Sequence, residues 1–174
     1  MRRRLALALP VCLVGVLSAC APTFNWRELP IGSTALTALF PCKPQTVTRT
    51  VPIANEARDL AMRSCDAGGV TFAVAHAVLA DPAQAPLVLA AWRASTLAGV
   101  RSDPGSVSSE PPKGLPALPQ LQVLRAGRAG GDAQAVSLLG VWFAKGGDVF
   151  AVFMMAPEIP ADAAESFFAG LRLR

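Results

Sequence analysis

The residue in this chain best suited to acid–base chemistry is its one histidine, His76. A hydrolytic triad built on it needs a carboxylate and a nucleophile. Asp66 and Asp81 are near in sequence, but no Gly-x-Ser-x-Gly elbow accompanies them. His76 alternates with alanines and shares a strand face with Phe72, Val74 and Val78. That pattern predicts a histidine held at the core or its edge, with no catalytic residue in the chain. Metal centres need several His, Cys or carboxylate ligands at set spacings, which one histidine cannot supply. No metal or other cofactor is therefore expected. Gly127, Gly130 and Gly131 lie between two predicted strands. A phosphate-binding glycine loop must lead into a helix, so these read as a turn. The carboxylates are scattered singly, without the facing pair that glycoside chemistry uses.

The first twenty residues carry a different kind of chemistry. Arg2, Arg3 and Arg4 precede an apolar stretch from Leu5 to Leu17, which is too short to span a bilayer as a helix. The segment ends Leu17-Ser18-Ala19-Cys20. This resembles the lipobox of bacterial lipoproteins. The resemblance implies that residues 1–19 are an export signal, that Cys20 is acylated, and that the chain is held on a membrane through it. Each buried lipid CH₂ contributes about 0.8 kcal/mol, so two or three acyl chains anchor a protein almost permanently. Ala21, where an aspartate usually retains a lipoprotein in the inner membrane, implies the outer membrane, facing the periplasm.

Without the three signal arginines the basic residues fall from 16 to 13, against 12 acidic ones. The sequence pI near 9.2 is thus largely a property of the signal, and it gives no reason to expect nucleic acid as a partner. Cys12 leaves with the signal and Cys20 takes lipid, so Cys42 and Cys65 remain as a pair in an oxidising compartment. A metal pair and a redox dithiol are the alternatives, but there is no Cys-x-x-Cys. A structural disulfide is expected. Closing a loop of about 24 residues contributes roughly 3.4 kcal/mol in the loop-entropy model.

Several elements must position these residues. Residues 20–33 have no period and carry two prolines after Cys20, which reads as a tether ahead of one domain over 34–174. Phe24 and Trp26 are expected to dock on that domain or at the lipid interface. Strands are predicted at 34–40, 45–53, 57–65 and 70–79, with a hairpin turn at Asp66-Ala67-Gly68-Gly69. A turn at 81–85 should lead to a helix over 86–98, stopped by Gly99, with Val88, Ala91, Trp92 and Ser95 on its inner stripe. A proline-rich loop spans 101–120. Strands at 120–126, 135–144 and 149–155 form a meander through turns at Gly130-Gly131-Asp132 and Lys145-Gly146-Gly147-Asp148. The last of them is apolar on both faces and should be central, covered above and below. A helix over 160–169 and a short strand at 171–173 finish the chain. The expected architecture is α+β: an antiparallel sheet of about six to seven strands covered by two helices.

Phe40-Pro41-Cys42-Lys43-Pro44 closes the first of these strands, a helix lies mid-chain, and Val141-Trp142-Phe143 and Phe150-Ala151-Val152 follow on a strand pair. The chain closes on Phe167-Phe168-Ala169-Gly170-Leu171. Together these make residues 34–173 similar to small envelope proteins of the PsbP/Mog-like fold, in which glycine is common where Cys42 stands. That fold hosts unrelated roles, so it implies an architecture and no activity. The expected role is a lipid-anchored accessory or interaction protein of the cell envelope with a protein partner there and no catalysis. The alternative is a module for a small ligand or lipid, marked by an open apolar cavity. A hydrolase centred on His76 stands third.

Overall fold

The computed structural model describes residues 23–130 and 134–174. Cys20 with its box, and Gly131 and Asp132 of the expected turn, lie outside the described residues. The chain is α+β, with two antiparallel sheets and two main helices. In chain order the elements are β1 (Arg27–Pro30), β2 (Leu36–Phe40), β3 (Gln45–Ile53), β4 (Glu56–Ala67), β5 (Val70–Val78), α1 (Ala85–Val100), β6 (Gln122–Arg128), β7 (Val136–Lys145), β8 (Asp148–Ala156), α2 (Ala161–Ala169) and β9 (Arg172–Leu173). A 3₁₀ turn over Pro82–Gln84 precedes α1, opened by Asp81, whose carboxylate accepts from Ala83 N–H at 2.9 Å.

The strands divide between a six-stranded sheet, ordered β3-β4-β5-β8-β7-β6, and a small sheet ordered β1-β2-β9. A single sheet was the expectation. The proline corner after Phe40 explains the difference. Pro41 and Pro44 have no N–H to give a ladder, so the chain turns out of one sheet before β3 joins the other. β1 also lies within the stretch read from sequence as tether, paired along its length with β2 from Arg27↔Phe40 to Pro30↔Thr37.

β8 is central, between β5 and β7. Because side chains alternate, each of its faces meets a different layer. Phe150, Val152 and Met154 point toward α2 and the small sheet, where they join Phe40, Phe72, Phe143, Phe167 and Phe168 in one core. Val149 and Ala151 point toward α1 and join Val88, Leu89, Trp92, Leu124 and Trp142. The molecule is thus three layers: α1, the large sheet, then α2 with the small sheet.

Two tight turns set the hairpin registers. Ala54 and Asn55, and likewise Gly68 and Gly69, take positive φ in succession, the backbone of a two-residue turn that suits twisted strands. Helix α1 runs through Gly99, past its expected stop, and ends where Arg101 adopts the left-handed conformation. Its inner stripe also differs from expectation. Val88 and Trp92 are buried, but Ser95 is exposed and Leu89 is buried instead.

Candidate functional site

His76 lies on β5 with Phe72, Val74 and Val78 on its face, pointing toward the α2 side. Its Nε2 is 2.7 Å from Asp148 Oδ1, and its ring stacks on Phe150 with centroids 5.1 Å apart. The partner is therefore Asp148, at the start of β8, and neither Asp66 nor Asp81. The register explains this: Phe150 sits opposite His76 and Asp148 opposite Val78, so the two side chains are diagonal neighbours. Asp66 instead accepts from Thr71 and Asp81 caps the 3₁₀ turn. Among the described residues no serine, threonine or cysteine bonds to this imidazole.

Cys42 and Cys65 are joined, with Cα atoms 6.0 Å apart and a sequence separation of 23. The bridge ties the proline corner leaving β2 to the end of β4. It lies on the α2 side of the large sheet, packed with the phenylalanine core. Phe24 and Trp26 dock beside it: their rings meet Phe72 edge-on at 6.0 and 5.9 Å.

The other face of the large sheet is built differently. Helix α1 covers β6 and β7 most closely, and its C-terminal half leaves a gap over β4, β5 and β8. That gap is a cavity of about 320 Å³. Its floor is Leu60 and Met62 of β4, Ala75 of β5, Phe153 and Met155 of β8, and Leu138 of β7. Trp92, Thr96, Gly99 and Val100 of α1 form the wall, and Val136 and Arg128 the remaining side. Phe153 and Met155 are only partly buried although they belong to the central strand, whose other side chains are closed in save Asp148 at its start. An apolar central strand needs cover on both faces, and over these two residues the described residues leave that cover incomplete.

Arg128 is the one charged residue among the described residues that line this cavity. It ends β6, and its guanidinium reaches the last turn of α1: Nη1 donates to Val100 O at 3.3 Å and Nη2 to Gln134 O at 3.2 Å. The first of these satisfies a helix carbonyl that otherwise lacks a partner. Arg128 Nε is buried and has no partner among the described residues.

Sequence reading placed β8 correctly and asked for cover above and below it, yet it did not foresee the cavity. The one signal available was the alternation of large apolar side chains at 60, 62, 153 and 155 on the face that a single helix covers. Among the described residues there is no cluster of three potential metal ligands, and no helix is long and apolar enough to cross a membrane.

No protein-family model and no curated protein matches the chain. A solved structure from Bacteroides thetaiotaomicron is 11% identical over 82% of this chain, with a TM-score of 0.43. The matched part is 47% of that protein, so this chain spans about half its length.

Proposed function

We propose that this protein is a lipid-anchored envelope module that binds a small apolar ligand between α1 and the large sheet. The observation that carries the reading is the open apolar cavity of about 320 Å³, which is within the size range of ligand sites, at its lower end. A purely structural domain gains nothing from leaving Phe153 and Met155 in contact with water. Filling that space would stabilise it at roughly 25 cal/mol per Å² of apolar surface covered. An accessory role with an envelope protein partner is compatible with this chemistry, since a carrier must hand its ligand on.

The anchor belongs to the same proposal. The arginines, the apolar stretch and Leu17-Ser18-Ala19-Cys20 support acylation at Cys20 and an outer-membrane address facing the periplasm. The order of elements and the Phe-Pro-Cys-Lys-Pro corner support the PsbP/Mog-like assignment of the domain. Labelling cells with a fatty-acid analogue tests the anchor. Cys20→Ala should remove both the label and the membrane association, and a mutant that keeps both refutes it.

The cavity is tested by titrating a solvatochromic naphthalene dye and watching its emission rise. Thr96→Phe, which projects a ring into the space from α1, should abolish the rise while the domain stays folded by circular dichroism. Equal dye binding by both proteins would place the ligand elsewhere.

A further inference from the structure

The proposal above leaves the ligand's chemistry open, and the following rests on it. Three features of the cavity narrow the class. Its floor and most of its wall are hydrocarbon or thioether, so the body of the ligand is apolar. Its volume is too small for a two-chain lipid and suits one chain. Its single charged lining residue is a cation whose donors reach only neutral carbonyls, and no carboxylate pairs with it among the described residues. A guanidinium carries five N–H donors in a fixed fork and cannot lose its charge. Nη1 and Nη2 each keep a second N–H beyond those given to Val100 and Gln134, and among the described residues no carboxylate balances the charge. A neutral head group would leave that cation uncompensated beside the apolar floor, whereas an anionic head would form a charge-assisted bond. The negative end of α1 opposes an anion there, but Arg128, bonded to Val100 O at that end, offsets it.

The topology supplies a further reason to expect an acyl chain. Thr23 and Phe24 lie against Gly68 at the tip of the β4–β5 turn: a Cβ there would be 3.1 Å from Thr23 Cγ2 and 3.0 Å from the Phe24 ring. The register Thr71↔Met155, Leu138↔Met155 and Ala126↔Leu138 runs across the sheet one row in from that turn, and Arg128 lies two rows further out at the same end. Three Cα–Cα steps lead from Cys20 to Thr23, a reach of at most about 10 Å. If Cys20 is acylated, the basic end of the cavity is therefore the end held closest to the bilayer.

We infer that the cavity binds a single-chain anionic amphiphile, its acyl chain over Met62, Phe153 and Met155 and its head on Arg128. The test uses the whole chain from residue 20 onward with Cys20→Ser, so that no acyl chain of its own competes. Dodecanoic acid, dodecanol and dodecylamine are compared by displacement of the naphthalene dye, with a lysophosphatidate of equal chain length alongside. The acid or the lysophosphatidate should bind at least about tenfold more tightly than the alcohol, and the amine most weakly. Whichever of the two anions binds better identifies free fatty acid or lysolipid as the source. Arg128→Gln should erase the preference for the anion while dodecanol binds within about twofold of its original affinity, and Arg128→Lys should keep part of it. Equal affinity for anion and alcohol in the parent chain would overturn the inference and leave the ligand-binding proposal intact, and this comparison needs no variant to fold. A preference that survives in Arg128→Gln would overturn it too. Failure of every amphiphile to displace the dye would sink both.

Discussion

The two faces of the six-stranded sheet use the same strands and are completed in opposite ways. On the α2 side, Phe72 meets Phe167 with centroids 5.2 Å apart, Phe167 meets Phe40 at 5.9 Å, and Phe143 stacks on Phe150 at 5.0 Å. A second sheet, a helix, a docked N-terminal segment and a disulfide all converge there. On the α1 side a single helix covers part of the face and leaves a cavity over the rest. The contrast is between a face that is filled and one that is left open. Interiors are packed as densely as organic crystals, and over Phe153 and Met155 that packing is left incomplete.

Substitutions on the two faces would break or sharpen this contrast. The largest effect is expected from Phe167→Ala, which opens a hole among three aromatic neighbours, Phe40, Phe72 and Phe168. Its cost should be about 3–5 kcal/mol in chemical denaturation. Phe153→Ala, on the open face, should cost clearly less, because water already reaches that ring. Equal costs would mean that the two faces are packed alike. Replacing both Cys42 and Cys65 with serine should destabilise the domain by roughly 2–4 kcal/mol under oxidising conditions and leave dye binding at the far face unchanged. Non-reducing mass spectrometry of the parent protein should find no free thiol at either position.

A pair of glycines gives a finer comparison. A Cβ at Gly170 would collide with Leu39 Cβ on the filled side, where both atoms are fixed to the backbone. Gly170→Ala should cost about 1–3 kcal/mol. A Cβ at Gly140 would come within 2.7 Å of the Trp142 indole and 3.3 Å of Phe153 Cβ, next to the cavity. The Trp142 ring is fully buried and must shift, so Gly140→Ala should cost about 1–3 kcal/mol as well, but it alone of the two should weaken dye binding as the rings are displaced. The smallest effect on stability belongs to Thr96→Phe, expected within about 1 kcal/mol of the parent by thermal unfolding although it removes binding.

The difference between the faces also marks what the sequence disclosed. β3, β5 and β8 were legible because their alternation or two-sided apolar character is a local property, and the His76 face was read correctly with them. The pairing of Cys42 with Cys65 followed from counting. What depended on distant contacts was less visible. Asp148 reaches His76 only through the β5–β8 register, 72 residues away in sequence. β1 has no period of its own, and it becomes a strand because β2 offers an edge. Ser95 fell on the predicted stripe of α1, but the helix is rotated and extended so that Leu89 and Val100 are buried instead. The cavity is the extreme case, since a void has no residue of its own and arises from how far a helix stops short of covering a sheet.

Quenching of tryptophan fluorescence by a bromine-labelled acyl chain tests the central claim most directly. Trp92 lines the cavity on α1, while Trp26 lies on the opposite face against Phe72. A brominated carboxylate of medium chain length should quench the parent protein saturably. Quenching should persist in Trp26→Phe and fall sharply in Trp92→Phe, as an occupied α1 cavity requires. Loss of quenching in Trp26→Phe with none lost in Trp92→Phe would place the ligand on the wrong side of the sheet and contradict the account.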